Sequence, residues 1–262
     1  MKPLASLEPG TARALRGLLF DLDDTLLSHG TLTRAAYGAL WDMRDAGLRL
    51  VAVTGRPSGW GEVLVRQWPV DGAVTENGAV HVVREGRGVA LRERCGDVER
   101  RSRRVRLAGL VERVREVVPE ARLADDVAAR RSDVTWDIGE RVRLPAERTA
   151  LIVQEIHGAG ARTTQSSVHL HATFDEDDKA TGAIEFLRAS FEEDAGAARF
   201  RYAFAGDSGN DAVCFAAFHT SFGVANVRDH LAKIAVVPRF VAAGAMGEGL
   251  AEIARALLDA RR

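Results

Sequence analysis

The segment Gly17-Leu18-Leu19-Phe20-Asp21-Leu22 constrains this chain most, because an apolar run of strand length ends there in the carboxylates Asp21, Asp23 and Asp24. A strand apolar on both faces of its pleat has to be covered on both sides, as happens inside a parallel sheet flanked by helices. A helical pattern follows: Thr33 stands as an N-cap, Ala36, Leu40 and Met43 recur at helical spacing, and Gly47 closes the segment at the C′ position. A second apolar run, Leu48 to Val53, leads into Thr54-Gly55-Arg56-Pro57, and a third unit runs through Gly59 to Trp68 and Ala73-Val74-Thr75. The turn Glu76-Asn77-Gly78-Ala79 comes next. Strand and helix therefore alternate, which predicts an α/β fold with a Rossmann-like, doubly wound parallel sheet.

From about Val80 to Phe174 the pattern changes. Loops become charged, and Asp133 to Ile138 and Val168 to Phe174 alternate polar with apolar, as half-exposed antiparallel strands do. We read an α/β cap unit, residues 83–174, inserted into a core made of residues 1–82 and 175–262. The buried kind of strand returns at Tyr202-Ala203-Phe204-Ala205-Gly206-Asp207, after a helix carrying Ala180, Ile184, Leu187 and Phe191 on one face. A last helix, from about Gly249 to Ala260, aligns Leu250, Ile253, Leu257 and Leu258.

Ligands of open parallel sheets bind beyond the carboxyl ends of the strands. At those ends this chain has Asp21 and Asp23, then Thr54-Gly55-Arg56, then Asp207-Ser208-Gly209-Asn210-Asp211. Asp21 and Asp23, one residue apart, can both face one pocket while Leu22 turns to the core. Converging carboxylates repel one another unless a cation neutralises them, and a hard divalent ion with oxygen ligands, Mg²⁺, meets that need.

These motifs resemble the haloacid dehalogenase superfamily of phosphohydrolases. Its pattern of Asp-x-Asp-x-Thr, a later Ser or Thr, a Lys at a helix start and Gly-Asp-x-x-x-Asp is matched by Asp21-Leu22-Asp23-Asp24-Thr25, Thr54, Lys179 and Gly206 to Asp211. The resemblance implies that Asp21 attacks phosphorus to form an aspartyl phosphate, and that Asp23, held partly protonated by burial and its neighbours, serves as acid and then base. Thr54, Gly55 and Lys179 would hold the phosphoryl oxygens. Mg²⁺ would be bound by Asp21, the Asp23 carbonyl and Asp207, with Asn210 and Asp211 in or just behind the coordination shell. Asp24 departs from the pattern, since members with this type of cap usually have Gly there.

The length and place of the insertion resemble the α/β type-two cap of the Cof-like branch, and Ser166-Ser167-Val168-His169 ahead of Asp178-Lys179 looks most like the sucrose-phosphatase group of sugar phosphatases. The expected activity is Mg²⁺-dependent hydrolysis of a small phosphorylated metabolite, a sugar phosphate in the first instance. A phosphomutase using the same aspartyl phosphate, or a phosphatase of nucleotide or vitamin phosphates, are the alternatives. In the cap, His169 and His171 share one strand face and fit either a substrate contact or a structural pair. Arg56 fits a phosphate contact or an ion pair, and Asn77 either reaches the pocket or forms its turn. The Arg-rich stretch from Arg92 to Arg115, interspersed with Glu and Asp, reads as a solvated helix face, and Asp175 to Asp178 as a hinge and helix start. Of the tryptophans, Trp41, Trp60 and Trp68 read as core.

The composition, 46% hydrophobic and 28% charged over 262 residues with a formal net charge of −1, gives a nucleic-acid partner no electrostatic support. Residues Met1 to Leu15 lack the apolar stretch of a secretory signal, and no run is long enough to span a membrane. Cys95 and Cys214 stand outside any metal or disulfide pattern. We expect a cytoplasmic monomer or homodimer with free thiols.

Overall fold

The structure, a computed structural model, describes residues 1–166 and 168–262; Ser167 of the Ser166 to His169 segment lies outside the described residues. Its first part comprises β1 (Lys2–Pro3), α1 (Pro9–Ala14), β2 (Gly17–Phe20), the hairpin of β3 (Leu27–Ser28) and β4 (Thr31–Leu32), and α2 (Arg34–Asp45). Then come β5 (Arg49–Val53), α3 (Ser58–Gln67), β6 (Gly72–Thr75), β7 (Val80–Glu85) and β8 (Gly88–Glu93). The middle of the chain forms α4 (Asp97–Val117), β9 (Arg122–Leu123), β10 (Asp133–Asp137), α5 (Ala146–Gly158), β11 (Arg162–Gln165) and β12 (His169–Thr173). The last part forms α6 (Lys179–Phe191), α7 (Ala195–Arg201), β13 (Tyr202–Gly206), α8 (Ala212–Ala217), β14 (Thr220–Gly223), β15 (Phe240–Val241) and α9 (Met246–Arg261).

The main sheet has the order β1-β15-β14-β13-β2-β5-β6-β7-β8. It is parallel from β1 to β6, and β7 and β8 extend it antiparallel. Helices cover both faces: Leu18 and Phe20 of β2 pack with residues of α2 and α9, while Leu19 between them packs with α6 and α8. That two-sided burial is why the strand is apolar at each position. The Thr33 hydroxyl caps α2, accepting from the Ala36 amide at 3.2 Å. At its other end Gly47, at φ +81°, closes the helix with Gly47 N–H to Arg44 and Leu48 N–H to Met43 carbonyl bonds, the Schellman pattern.

A second sheet, β11-β12-β10-β9, is antiparallel. Its apolar face, with Val134, Trp136, Leu170 and Ala172, packs on Leu107 and Leu110 of α4 and Ile152 and Ile156 of α5. Its other face carries Asp133, Thr135, Asp137, His169 and His171. Three sequence expectations need correction. The expected boundary after residue 82 falls inside β7; β7 and β8 are paired edge strands of the main sheet, so the core reaches Glu93. β10 is buried throughout rather than half-exposed, because its polar face is filled by ion pairs and hydrogen bonds. The final helix begins at Met246, one turn early. Among the described residues no helix is long and apolar enough to cross a membrane.

Candidate active site

Adjacent strands β13, β2 and β5 end in Asp207, Asp21 and Thr54, at the rim where the chain diverges to the two sides of the sheet. Asp21 is buried. One of its oxygens accepts from the Leu22 amide at 2.8 Å, and the other lies 2.9 Å from Lys179 Nζ. Lys179, also buried, donates to Asp211 Oδ1 at 2.7 Å. It is the first residue of α6, whose start is fixed by reciprocal bonds between Asp178 and Thr181, each 2.8 Å. The second Asp211 oxygen accepts from the amides of Asp207 and Ser208, at 2.9 and 3.1 Å. Asp211 thus braces both Lys179 and the loop after β13.

Asp207 accepts from Thr25 Oγ1 at 2.9 Å and from Asn226 Nδ2 at 3.0 Å. Asn226, which sequence reasoning missed, also donates to the Asp24 carbonyl at 2.9 Å and accepts from the Met246 amide at 3.0 Å. Its place in the loop after β14, at the same rim, was the only signal for it. Asn210 Oδ1 accepts from Ser208 Oγ at 2.7 Å.

Burial pushes the Asp21 carboxyl up to about 7; Lys179 pulls it down, while Asp211 and Asp23 add to the rise. Burial likewise raises Asp207 to about 8, with Asp211 and Asp21 adding to it. Burial alone would lower the Lys179 ammonium, but Asp21 and Asp211 raise it overall, so it stays charged. Oxygens of Asp21, Asp207 and Asp211 lie within 4.8 Å of one another. Three buried carboxylates against one ammonium leave an excess of negative charge that a hard divalent cation would neutralise, so the donor set fits Mg²⁺.

Asp23 is not buried as expected: its side chain is 50% exposed and faces the cavity. Arg56 Nε donates to both its oxygens, at 3.0 and 2.9 Å, and the guanidinium lies 3.9 Å from the centroid of the Trp60 ring. Of the two readings of Arg56, the ion pair is the one present. Trp60 belongs to the cavity wall rather than the core. Thr54 is fully buried, with its hydroxyl accepting from the Arg56 amide at 3.1 Å, and Gly55 lines the cavity. Asp24 sits at φ +52°, the left-handed conformation that favours Gly.

The cavity, about 920 Å³, lies between the sheet rim and the polar face of the second sheet. Asp21, Asp23, Asp207 and Asn210 line it from one side, and Thr164, Gln165, His169 and His171 from the other. His169 Nε2 pairs with Glu140 at 2.8 Å. His171 Nδ1 lies 2.9 Å from Asp133 Oδ2 and 3.0 Å from Thr135 Oγ1. Burial lowers His171, with Asp133 opposing, while Asp133 itself is held down by Arg130 and His171 against its burial. His171 is therefore neutral, with Nδ1–H donated to Asp133 and Nε2 left as an acceptor. Asn77, at φ +54°, donates to Thr164 Oγ1 at 3.4 Å, while its buried Oδ1 has no hydrogen-bond partner among the described residues.

Further residues tie the two units together. Buried Glu76 accepts from the amides of Ser58, Arg131 and Ser132, at 3.0, 3.0 and 2.6 Å. Arg130 donates to the Gly55 carbonyl at 2.9 Å. In the Arg-rich segment, Arg100 is buried and holds Asp175 through two bonds, 2.7 and 3.0 Å, and also pairs with Glu93. That part of α4 is a junction, not a solvated face, because it packs where Asp175 leads the chain back to the core.

No family sequence model and no curated protein matches the chain. Solved structures do. A Thermoplasma acidophilum protein superposes with a TM-score of 0.73 at 17% identity, covering 93% of this chain and 98% of that one. A phosphatase of the haloalkanoate (HAD) superfamily from Bacteroides thetaiotaomicron gives 0.62 at 20% identity, covering 98% of both chains. The sucrose-phosphatase of Synechocystis sp. PCC6803, solved with sucrose and phosphate, gives 0.64 at 15% identity over 93% of this chain and 98% of that one. Likeness at such identity is a likeness of architecture: the chain shares with these structures the fold of a Rossmann-like core carrying an α/β cap.

Proposed function

We propose that this protein is a Mg²⁺-dependent phosphomonoesterase acting on a small phosphorylated metabolite, a sugar phosphate, through an aspartyl phosphate on Asp21. The observation that carries this reading is the setting of Asp21: a carboxylate at the end of the central strand, 2.9 Å from a buried ammonium, facing a cavity shared with the cap. Bound Mg²⁺ would supply charge neutralisation for the carboxylates and the phosphoryl oxygens. Asp21 attacks phosphorus as the bond to the leaving oxygen breaks, and Asp23, after exchanging its ion pair with Arg56 for a proton, gives that oxygen the proton. Asp23, now a carboxylate, takes a proton from the water that attacks the aspartyl phosphate, which returns Asp21 and releases phosphate. Lys179 and the Thr54-Gly55 loop would hold the oxygens being transferred.

The sugar assignment rests on the cavity wall and on analogy of fold. Thr164, Gln165, Ser166 and the neutral His171 offer hydrogen bonds suited to hydroxyl groups. The cations on the wall are engaged: Arg56 by Asp23, Arg130 by Asp126 and Asp133. A second anionic group on the substrate would find little compensation there. Two unpaired cysteines support a reducing compartment, the cytoplasm.

The test is phosphate release from p-nitrophenyl phosphate and a panel of phosphosugars and nucleotides with Mg²⁺, together with Asp21→Asn. The variant should lose activity by roughly 10³-fold or more and keep its fold. Activity in Asp21→Asn near that of the parent, or no Mg²⁺-dependent release from any compound, sinks the reading.

A further inference from the structure

The three carbonyls of the phosphate-binding loop each have a partner, and one of those partners belongs to the cap. The Thr54 carbonyl accepts from the Asn77 amide at 3.1 Å and the Arg56 carbonyl from the Glu76 amide at 3.0 Å, both within the core. The Gly55 carbonyl accepts from Arg130 Nη1 at 2.9 Å. Arg130 is 3% exposed, and each nitrogen of its planar fork is engaged: Nε and Nη2 donate to the two Asp126 oxygens, each at 3.0 Å, and Nη1 also reaches Asp133 at 3.1 and 3.2 Å. Asp133 Oδ2 is in turn 2.9 Å from His171 Nδ1, and the His171 ring lines the cavity. One continuous chain of charge-assisted bonds therefore runs from the loop at Gly55, through Arg130 and Asp133, to the cap residue facing the organic part of a substrate.

We propose that Arg130 is a positioning residue of the reaction: it sets the geometry of the Thr54-Gly55-Arg56 loop from the cap, and couples that loop to the side chain orientation of His171. A buried guanidinium bound at both ends has one arrangement, so the loop keeps its phosphate-binding shape only while the cap sits as it does here. The side chain does not touch the reacting atoms. The inference rests on the reading of this loop as the phosphate site.

The test uses the full chain and Arg130→Lys. Lysine keeps the charge beside Asp126 and Asp133, but a point charge on a flexible stem cannot hold both carboxylates and the Gly55 carbonyl together. Calorimetric binding of inorganic phosphate with Mg²⁺ present should weaken by roughly 3- to 10-fold, the scale of one hydrogen bond. For p-nitrophenyl phosphate the loss should fall on KM more than on kcat, and the Gly55 carbonyl carbon resonance should shift. Asp133→Asn, which keeps Arg130 but weakens its brace, should move all three in the same direction and serves if lysine unsettles the cap. Arg148→Met, which removes a surface pair with Glu120, should move none. Parent-like phosphate affinity and an unmoved Gly55 resonance in both variants overturn the inference alone. No phosphate binding by the unaltered protein overturns the phosphatase reading, and this inference with it.

Discussion

Gly182→Ala sets two known effects against each other, and the structure decides between them. Gly182 lies in α6, one turn after Lys179, where Ala would normally stabilise a helix by about 1 kcal/mol. A Cβ at 182, however, would stand 2.4 Å from both Cα and O of Gly78, in the turn after β6. Both are backbone atoms and cannot rotate aside. The turn is equally closed from its own side, since Gly78 sits at φ +112° with a would-be Cβ 2.1 Å from the Asp178 carbonyl oxygen. Overpacking of this kind costs about 1–3 kcal/mol, and rigid neighbours put it at the upper end, so the net loss should be about 2 kcal/mol. Relief comes by moving the start of α6 outward, which carries Lys179 away from Asp21. Urea unfolding should show the lower midpoint, and kcat/KM for p-nitrophenyl phosphate should drop by about tenfold or more. Gly109→Ala, on the exposed side of α4 with its nearest neighbour an Arg113 nitrogen at 3.9 Å, should show the helix gain alone. Equal behaviour of the two variants would refute the steric argument.

Burial holds the imidazole of His81, in β7, down to about 4, against an ordinary value of 6.5. Stability from keeping it neutral is complete above pH 6.5 and is lost as pH falls toward 4, a total of about 3 kcal/mol. His81→Phe should therefore flatten the acid limb of stability measured by urea unfolding between pH 7 and 4; identical limbs would exclude His81 as a source. Asp24→Gly removes a left-handed conformation costing about 1 kcal/mol, and should raise Tm by about 2–4 °C while the carbonyl at 24 keeps its bond from Asn226. A lower Tm would mean that the Asp24 side chain contributes more than its backbone costs.

By itself the sequence determined the parts of the fold that local chemistry dictates. The apolar β2 and β5 runs, the Thr33 cap and the Gly47 stop were legible because burial on two faces and helix ends each demand particular residue types within a few positions. The polar and apolar alternation of β10 and β12 was legible for the same reason. So were Asp21, Asp207 and Asp211 as one group, since strand ends in such a sheet converge whatever lies between them, while Lys179, at a helix start, was legible only through the family pattern that it completes. Tertiary structure alone decided what those residues touch. Asp23 faces Arg56 in the open cavity instead of lying buried, and β7 and β8 join the main sheet because an edge strand was free to pair. Arg130 and Asn226 carry no motif, and Glu76 was legible only as part of the turn before the cap. Each acts by a single side chain bridging segments distant in sequence, as Asn226 does in meeting the carbonyl at 24. Long-range pairing of that kind leaves no periodic trace in the chain, and it becomes visible only once folding has brought the partners together.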